Sequence, residues 1–112
     1  MNFKWLFFVL ALSFTSLTSC NNTNDFDLVC NYFDSLRKEA ANNSMSPDDK
    51  YQFINDLLVK NPSPDSPAKI SFNAVVGYVP SDGRYTLYID AAESTLNKNW
   101  KCKSMNTLLQ DF

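Results

Sequence analysis

The sequence predicts an all-α fold, a small bundle of four to five short helices. Apolar residues recur at three- and four-residue spacing through several separate segments of the chain. Two of these segments follow the pairs Ser46-Pro47 and Ser66-Pro67, in which serine can cap a helix and proline suits its first turn. Aromatic residues make up 14% of the 112 residues. That share favours a packed core over an extended disordered chain.

The first helix is predicted to begin near Asp25. A carboxylate there can accept hydrogen bonds from unpaired backbone amides and offset the positive end of the helix dipole. The apolar residues after it share one helical face, and polar residues occupy the other faces. This apolar face consists of Phe26, Val29, Cys30, Phe33, Leu36 and Ala40. We therefore expect the Cys30 side chain to point into the core.

The second helix has the clearest start signal in the chain, at Ser46 to Asp49. The segment supplies an N-cap serine, a proline at the first helical position and two acids in the first turn. Tyr51, Ile54 and Leu58 form its apolar face, and the helix is expected to end near Asn61. The acid pair Asp48-Asp49 is interpreted as compensation of the helix dipole rather than as a metal or proton-transfer site.

Two structures compete for residues 68–90. In the helical one, residues 68–78 form a third helix that buries Ile70, Ala74, Val75 and Tyr78. In the other, alternating apolar residues form strands joined by a hairpin around Pro80-Gly83, which gives an α+β fold. Three- and four-residue spacing continues over 85–96, longer than a strand, and favours a fourth helix. The terminal residues 104–109 are expected to add a last helical turn or two.

The first 19 residues have the layout of a secretory signal peptide. One cation, Lys4, precedes an apolar run from Trp5 to Phe14, and small, mildly polar residues continue up to Ser19. The run of 10 residues is shorter than the roughly 20 that a membrane-spanning helix needs. A permanent transmembrane anchor is therefore disfavoured.

The motif Leu17-Thr18-Ser19-Cys20 resembles the lipobox of a bacterial lipoprotein signal peptide. An aliphatic residue, two small residues and the cysteine fit its four positions. The resemblance covers the first 20 residues, and no family is recognised for the rest of the chain. It implies that residues 1–19 are removed and that Cys20 is acylated, with residues 20–25 as a short tether and 26–112 as one helical domain. Two or more acyl chains give stable membrane anchoring. The alternative is an ordinary signal peptide in which Cys20 is a plain thiol or disulfide partner.

The expected location is the periplasmic face of the bacterial outer membrane. Asn21, and not aspartate, comes after Cys20, which by analogy with lipoprotein sorting favours the outer membrane over the inner one. Loss of Lys4 with the leader leaves 9 basic against 12 acidic side chains, a balance of −3. This balance argues against nucleic acid as a partner and against electrostatic docking on anionic lipid.

Cysteine arithmetic then predicts one disulfide. With Cys20 assigned to lipid, Cys30 and Cys102 remain as a pair in an oxidising compartment, where a small domain benefits from a cross-link. Closing a loop of this length stabilises by about 4 kcal/mol in the chain-entropy model. The chain has no Cys-x-x-Cys motif and no histidine, so a redox or metal role for the pair is disfavoured.

No catalytic site or cofactor is predicted. The absence of histidine from the sequence excludes the usual Ser/His and Cys/His nucleophile systems and the common zinc sites. Glu39 and Glu93, the two glutamates, stand in no glycosidase motif, and two glycines cannot make a phosphate loop. We therefore do not expect an enzyme.

The sequence offers one candidate binding surface, around Tyr88, Trp100 and Lys101. Lysines surround Trp100, as in a partner-binding or headgroup patch; the competing interpretation is a solvated edge with the tryptophan covering the disulfide. The expected function is a membrane-anchored, non-catalytic binding or accessory lipoprotein with a protein partner. An immunity-type inhibitor of a periplasmic toxin is one specific version. The alternative is a structural envelope component that self-associates.

Overall fold

The computed structural model describes residues 24–112, which form five α-helices and, within that range, no strand. The helices are α1 (Asp25–Asn42), α2 (Pro47–Lys60), α3 (Pro67–Tyr78), α4 (Arg84–Leu96) and α5 (Lys103–Leu108), with single 3₁₀ turns at Ser81–Gly83 and Leu109–Asp111. The all-α prediction is confirmed, and a 3₁₀ turn stands where the α+β alternative required a hairpin. The predicted signal peptide and Cys20 lie outside the described residues.

The first helix starts where predicted, but its cap lies one residue earlier. The Asn24 side chain accepts a hydrogen bond from the Asp27 backbone N–H at 2.8 Å, so Asn24 and not Asp25 is the N-cap. Asp25 is the first helical residue, and its carboxylate instead accepts a hydrogen bond from the Ser66 hydroxyl at 2.7 Å. This bond ties the start of α1 to the start of α3.

The second helix confirms its predicted cap. The Ser46 hydroxyl accepts from the Asp49 N–H at 3.1 Å, and the Asp49 carboxylate accepts from the Ser46 N–H at 3.2 Å, which completes a capping box. The helix ends as expected, with Asn61 as its C-cap. Ile54 and Leu58 are its fully buried side chains.

The third helix forms as predicted but buries a different face. Its buried residues are Ala68, Phe72 and Val75, so the predicted burial holds for Val75 alone. Ile70 is 53% exposed and Tyr78 is 89% exposed, and Ala74 is exposed as well. The inward face is fixed by distant partners, since the Phe72 ring packs on Phe33 with centroids 6.0 Å apart.

The core is organised on α1. This helix packs against α2, α3 and α5, and α4 packs along α3. Buried α1 residues are Phe26, Val29, Phe33 and Leu36, and the carboxyl-terminal part adds Trp100, Met105, Leu108 and Leu109. The predicted disulfide between Cys30 and Cys102 is confirmed, with an S–S distance of 2.04 Å. The half-buried Cys30 packs against this core.

Arg84 joins the end of α3 to the end of the described chain. Its guanidinium donates to the backbone oxygens of Val79 at 3.0 Å, Leu109 at 3.2 Å and Phe112 at 2.8 Å. Oxygens at the end of a helix lack intrahelical partners, and a cation is favourable there. Arg84 therefore holds the last residues of the chain against α3 and α4.

Candidate binding groove

Among the links that join α1 to the segment Trp100–Ser104, three come in the same order along both. The Trp100 indole N–H donates to the Asp27 carboxylate at 2.8 Å. The disulfide between Cys30 and Cys102 comes next. The Ser104 hydroxyl then donates to the Asp34 carboxylate. Because the residue numbers rise together, the segment runs parallel to α1.

The predicted binding surface is not formed, because two of its three residues lie in the core. Tyr88 is 0% exposed and Trp100 is 5% exposed, so neither can meet a partner. Lys101 alone is exposed. In the sequence, a tryptophan among lysines is typical of an exposed anchor. In the structure, the apolar ring packs in the core and its polar N–H donates to a carboxylate.

Instead, Phe26, Tyr88 and Trp100 form an aromatic cluster with edge-to-face contacts. Ring centroids are 5.5 Å apart for Phe26 and Tyr88, and each lies 5.9 Å from Trp100. The Tyr88 hydroxyl donates to the Ala68 backbone oxygen at 3.0 Å, which satisfies the polar tip. Burial, and secondarily the negative charge of Asp25, raises the pKa of Tyr88 well above its ordinary value.

A groove lined by charged and polar residues lies at the other end of the three links. It has a volume of about 370 Å³, lies between α1 and α5 and is partly open to solvent. We call it the groove; its lining residues are Asp34, Arg37, Lys103, Ser104, Asn106 and Thr107. A volume of this size lies in the lower part of the range of ligand-binding clefts.

Ser104 organises the charged side chains of the groove. It is 3% exposed, and besides donating to Asp34 its hydroxyl oxygen accepts from the Arg37 Nε–H at 3.3 Å. Within residues 24–112 the two Nη groups of Arg37 have no hydrogen-bond partner, and the side chain is exposed. Arg37 therefore lines the groove with its Nε bound to Ser104 and its Nη donors unpaired among the described residues.

The groove carries the opposite charge to the domain as a whole. Arg37 and Lys103 together outweigh Asp34, so the formal charge of the lining residues is +1. Residues 24–112 contain 9 basic and 12 acidic side chains, a balance of −3. A cationic site on an acidic domain is suited to an anionic group on a ligand or partner.

The described residues assemble neither a metal site nor a pair of glutamates in the groove. No group of three or more potential metal ligands forms between residues 24 and 112. Glu39 accepts from the Asn43 side chain at 2.7 Å, and Glu93 accepts from the Trp100 backbone N–H at 2.9 Å. Neither glutamate lines the groove. Among the described helices, none combines the length and apolarity that crossing a membrane requires.

Apart from Lys103, one of the lysines around Trp100, the groove residues were not singled out by sequence, although a signal for them existed. Asp34 stands one helical turn after Cys30, and Lys103 and Ser104 come directly after Cys102. A predicted disulfide between these cysteines already implies that their neighbours meet. Arg37 stands three residues after Asp34 and seven after Cys30, so helical spacing places it on the same face. What the sequence does not reveal is that the Ser104 hydroxyl accepts from Arg37 and donates to Asp34.

Fold and site together define a small, disulfide-linked helical domain with a cationic groove. In comparisons with protein-family models, with curated proteins and with solved structures, no match to this chain was found. The chemistry of the groove must therefore be understood from its own residues.

Proposed function

We propose that the protein is a lipid-anchored periplasmic lipoprotein that acts as a non-catalytic binding or accessory protein, with the groove as its contact site. The observation that carries this proposal is an oriented arginine in an open cleft whose two walls are covalently joined. Arg37 is held by Ser104, and the disulfide links the helix that bears Arg37 to the residue before Lys103. A site ordered before binding loses less entropy when a partner arrives.

The proposed anchor leaves the groove accessible. The lipobox resemblance assigns the acyl chains to Cys20, four residues before the N-cap Asn24. Asp34 and Arg37 lie 9 and 12 residues along α1 from Asp25. At the rise of an α-helix, this separates them from the anchored end by about 14 to 18 Å. A partner in the periplasm can therefore reach the groove.

The chemistry of the groove supports binding rather than catalysis. Ser104 is hydrogen-bonded to both Asp34 and Arg37, and the sequence contains no histidine to accept a hydroxyl proton. An inhibitor of the immunity type, which covers the active site of a periplasmic toxin, is a specific version of this function. It rests on size and proposed location, together with the cationic groove.

Charge reversal at the groove tests the binding function. The protein is extracted from bacterial membranes in mild detergent after chemical cross-linking in cells, and its cross-linked partners are identified by mass spectrometry. Arg37→Glu with Lys103→Glu is expected to abolish cross-linking to a defined envelope protein. Lys38→Glu with Lys98→Glu makes the same charge change at exposed positions outside the groove and should leave it intact. An equal loss in both variants would contradict the groove as contact site.

The anchor has its own test. Cys20→Ser removes the proposed acylation site and is expected to release the protein from the membrane fraction into the soluble periplasmic fraction. Ser19→Ala, a small-residue change beside it, should remain in the membrane fraction. Retention of the Cys20→Ser variant in the membrane would contradict the lipoprotein proposal.

Self-association is the second candidate function, and the outer face of α3 favours it. Its exposed residues at helical spacing are uncharged: Ile70, Asn73, Ala74, Gly77 and Tyr78. Ile70 and Tyr78 stand four residues on either side of Ala74. In an antiparallel pair of such helices, each Ile70 would therefore face the Tyr78 of the second copy.

Light scattering of the detergent-extracted protein distinguishes the two functions. A self-associating component is expected as a dimer that Ala74→Lys converts to a monomer. Val59→Lys is the control, because Val59 is 67% exposed on α2 and outside this face. A monomeric wild-type protein would exclude the structural function and leave the binding function.

A further inference from the structure

We infer that the groove binds the carboxylate side chain of an acidic peptide segment, with Arg37 as its main partner and Lys103 as a second cation. This inference rests on the proposed binding function and specifies the chemistry that the partner brings to the same site. It derives from the orientation of Arg37, the charge of the groove and the construction of its walls.

The orientation of Arg37 suits a planar anion. Ser104 accepts from its Nε–H at 3.3 Å, and Ser104 is itself fixed by donating to Asp34. The two Nη groups keep their N–H donors for a ligand, and a guanidinium fork pairs with both oxygens of a carboxylate. Lysine in place of Arg37 would keep the charge but lose this two-point geometry.

The charge of the groove distinguishes a carboxylate from a phosphate. Arg37 and Lys103 contribute two positive charges, and Asp34 lies in the same wall with one negative charge. A monoanion matches the resulting +1. Asp34 repels any anion in the groove, and a phosphate dianion would leave the filled groove with a net negative charge on a domain that is already acidic. A carboxylate leaves the filled groove neutral and is therefore the ligand that its charge matches.

The shape of the groove favours a peptide over a free small anion. It is partly open to solvent and has a volume of about 370 Å³, much more than one carboxylate fills. Asn106 and Thr107 add an amide and a hydroxyl to the lining, which can pair with backbone N–H and C=O groups of a bound segment. The disulfide holds both walls, so little ordering is needed on binding.

Peptide titration tests this inference directly. The ¹⁵N-labelled protein, extracted in mild detergent, is titrated with a blocked five-residue peptide that carries one glutamate among alanines. The matched probe replaces that glutamate with glutamine, and acetate and inorganic phosphate serve as small-anion probes at equal ionic strength. We expect the glutamate peptide to shift the amide signals of residues 103–107. The glutamine peptide should bind at least about tenfold more weakly, because a charge-assisted pair is lost.

Variants of α1 assign the effect to Arg37. Arg37→Gln should weaken binding of the glutamate peptide roughly tenfold to a hundredfold, and Arg37→Lys should fall between this variant and the wild type. Lys38→Gln removes the same charge from the next position of the same helix and should leave the affinity unchanged. Both positions are exposed, so the variants are expected to fold, which circular dichroism checks.

Several results would overturn the inference. Equal affinity for the glutamate and glutamine peptides, or unchanged affinity in Arg37→Gln, would remove the carboxylate from the groove. Tighter binding of phosphate would identify a phosphate site, and acetate as tight as the peptide would identify a site for free small anions. If the glutamate peptide does not bind while a partner is still cross-linked, the protein binds its partner through another part of its surface and this inference is wrong. If the peptide binds and no partner is found, the binding function fails instead.

Discussion

The aromatic cluster and the groove use the same kind of link for opposite purposes. In each, a carboxylate on α1 accepts a hydrogen bond from the segment Trp100–Ser104, which we call the terminal segment. Asp27 accepts from Trp100, and Asp34 accepts from Ser104. At the first link the donor belongs to a ring that is 5% exposed and packed among aromatic neighbours. At the second it orients Arg37, which stays exposed. The first link therefore stabilises the fold, whereas the second places a charged side chain at the surface.

Removing the disulfide, which lies between the aromatic cluster and the groove, should have the largest effect on the free energy of unfolding. Cys30→Ser with Cys102→Ser opens a cross-link between residues 72 apart and is expected to lower the free energy of unfolding by about 4 kcal/mol. Urea unfolding followed by circular dichroism, without reductant, measures the change. Wild-type protein under reductant should behave like the variant. A loss below about 1 kcal/mol would mean that the hydrogen-bonded links hold the segment without the disulfide.

Truncation of Trp100 should destabilise the aromatic cluster and leave the groove unchanged. Trp100→Ala removes the ring that covers Phe26 and Tyr88 and should lower the free energy of unfolding by about 3 kcal/mol. Lys101→Ala, at the exposed neighbouring position, should change it by less than about 0.5 kcal/mol. Both are measured by urea unfolding. Equal stability of the two variants would contradict a core position for Trp100.

Loss of the Ser104 hydroxyl should affect stability and binding together. Ser104→Ala removes the donor to Asp34 and should lower the free energy of unfolding by about 1.5 kcal/mol, as well as weakening glutamate-peptide binding. Ser66→Ala is the matched control, because Ser66 is also buried and donates to a carboxylate, that of Asp25, outside the groove. It should lose similar stability and no peptide affinity. Similar peptide affinity in both variants would show that Ser104 does not orient Arg37.

The smallest expected effect concerns Tyr88 and pH. Tyr88→Phe should lower the free energy of unfolding by about 1 kcal/mol at neutral pH, because the bond to Ala68 is lost. The pKa of Tyr88 is raised in the folded state, whereas an unfolded tyrosine ionises near 10.0. The unfolded chain therefore releases a proton first as the pH rises, and wild-type stability declines above about pH 10.

In Tyr88→Phe this alkaline decline should be shallower. Urea unfolding between pH 7 and 11 measures it, with Tyr78→Phe as control because Tyr78 is 89% exposed. The pKa of Tyr32 is also raised, chiefly by burial. Tyr32 is present in every variant, so part of the alkaline loss of stability remains in each of them. Identical pH profiles for Tyr88→Phe and wild type would contradict a neutral, buried Tyr88.

Local signals were sufficient to predict where the helices lie. The capping box of Ser46 and Asp49 involves residues three apart, so its chemistry is legible in a short segment. Local periodicity could not select the buried face of α3, because both of its faces carry apolar residues. Phe72 rather than Ile70 points inward because Phe33, far away in the sequence, receives it. Such a choice depends on tertiary contacts that a short segment does not contain.

The candidate site likewise depends on tertiary contacts that short segments do not contain. Cysteine counting paired Cys30 with Cys102 correctly, which brings α1 and the terminal segment together. The side on which Trp100 enters the bundle depends on the positions of Asp27 and Tyr88, and no local pattern contains them. Arg84 was likewise missed, since its partners are backbone oxygens that any sequence supplies. The sequence therefore predicts the scaffold more completely than it predicts the groove.

The three links also bear on how fast this domain can fold. Each joins residues about seventy positions apart, from Asp27 with Trp100, 73 apart, to Asp34 with Ser104, 70 apart. Loop closure over such a distance costs entropy before any contact rewards it, and helical proteins fold quickly when their contacts are local. While the cysteines are reduced, we therefore expect a lower folding rate than the helical content suggests, with arrival of the segment Trp100–Ser104 on α1 as the slow step; the closed disulfide removes most of this loop-closure cost.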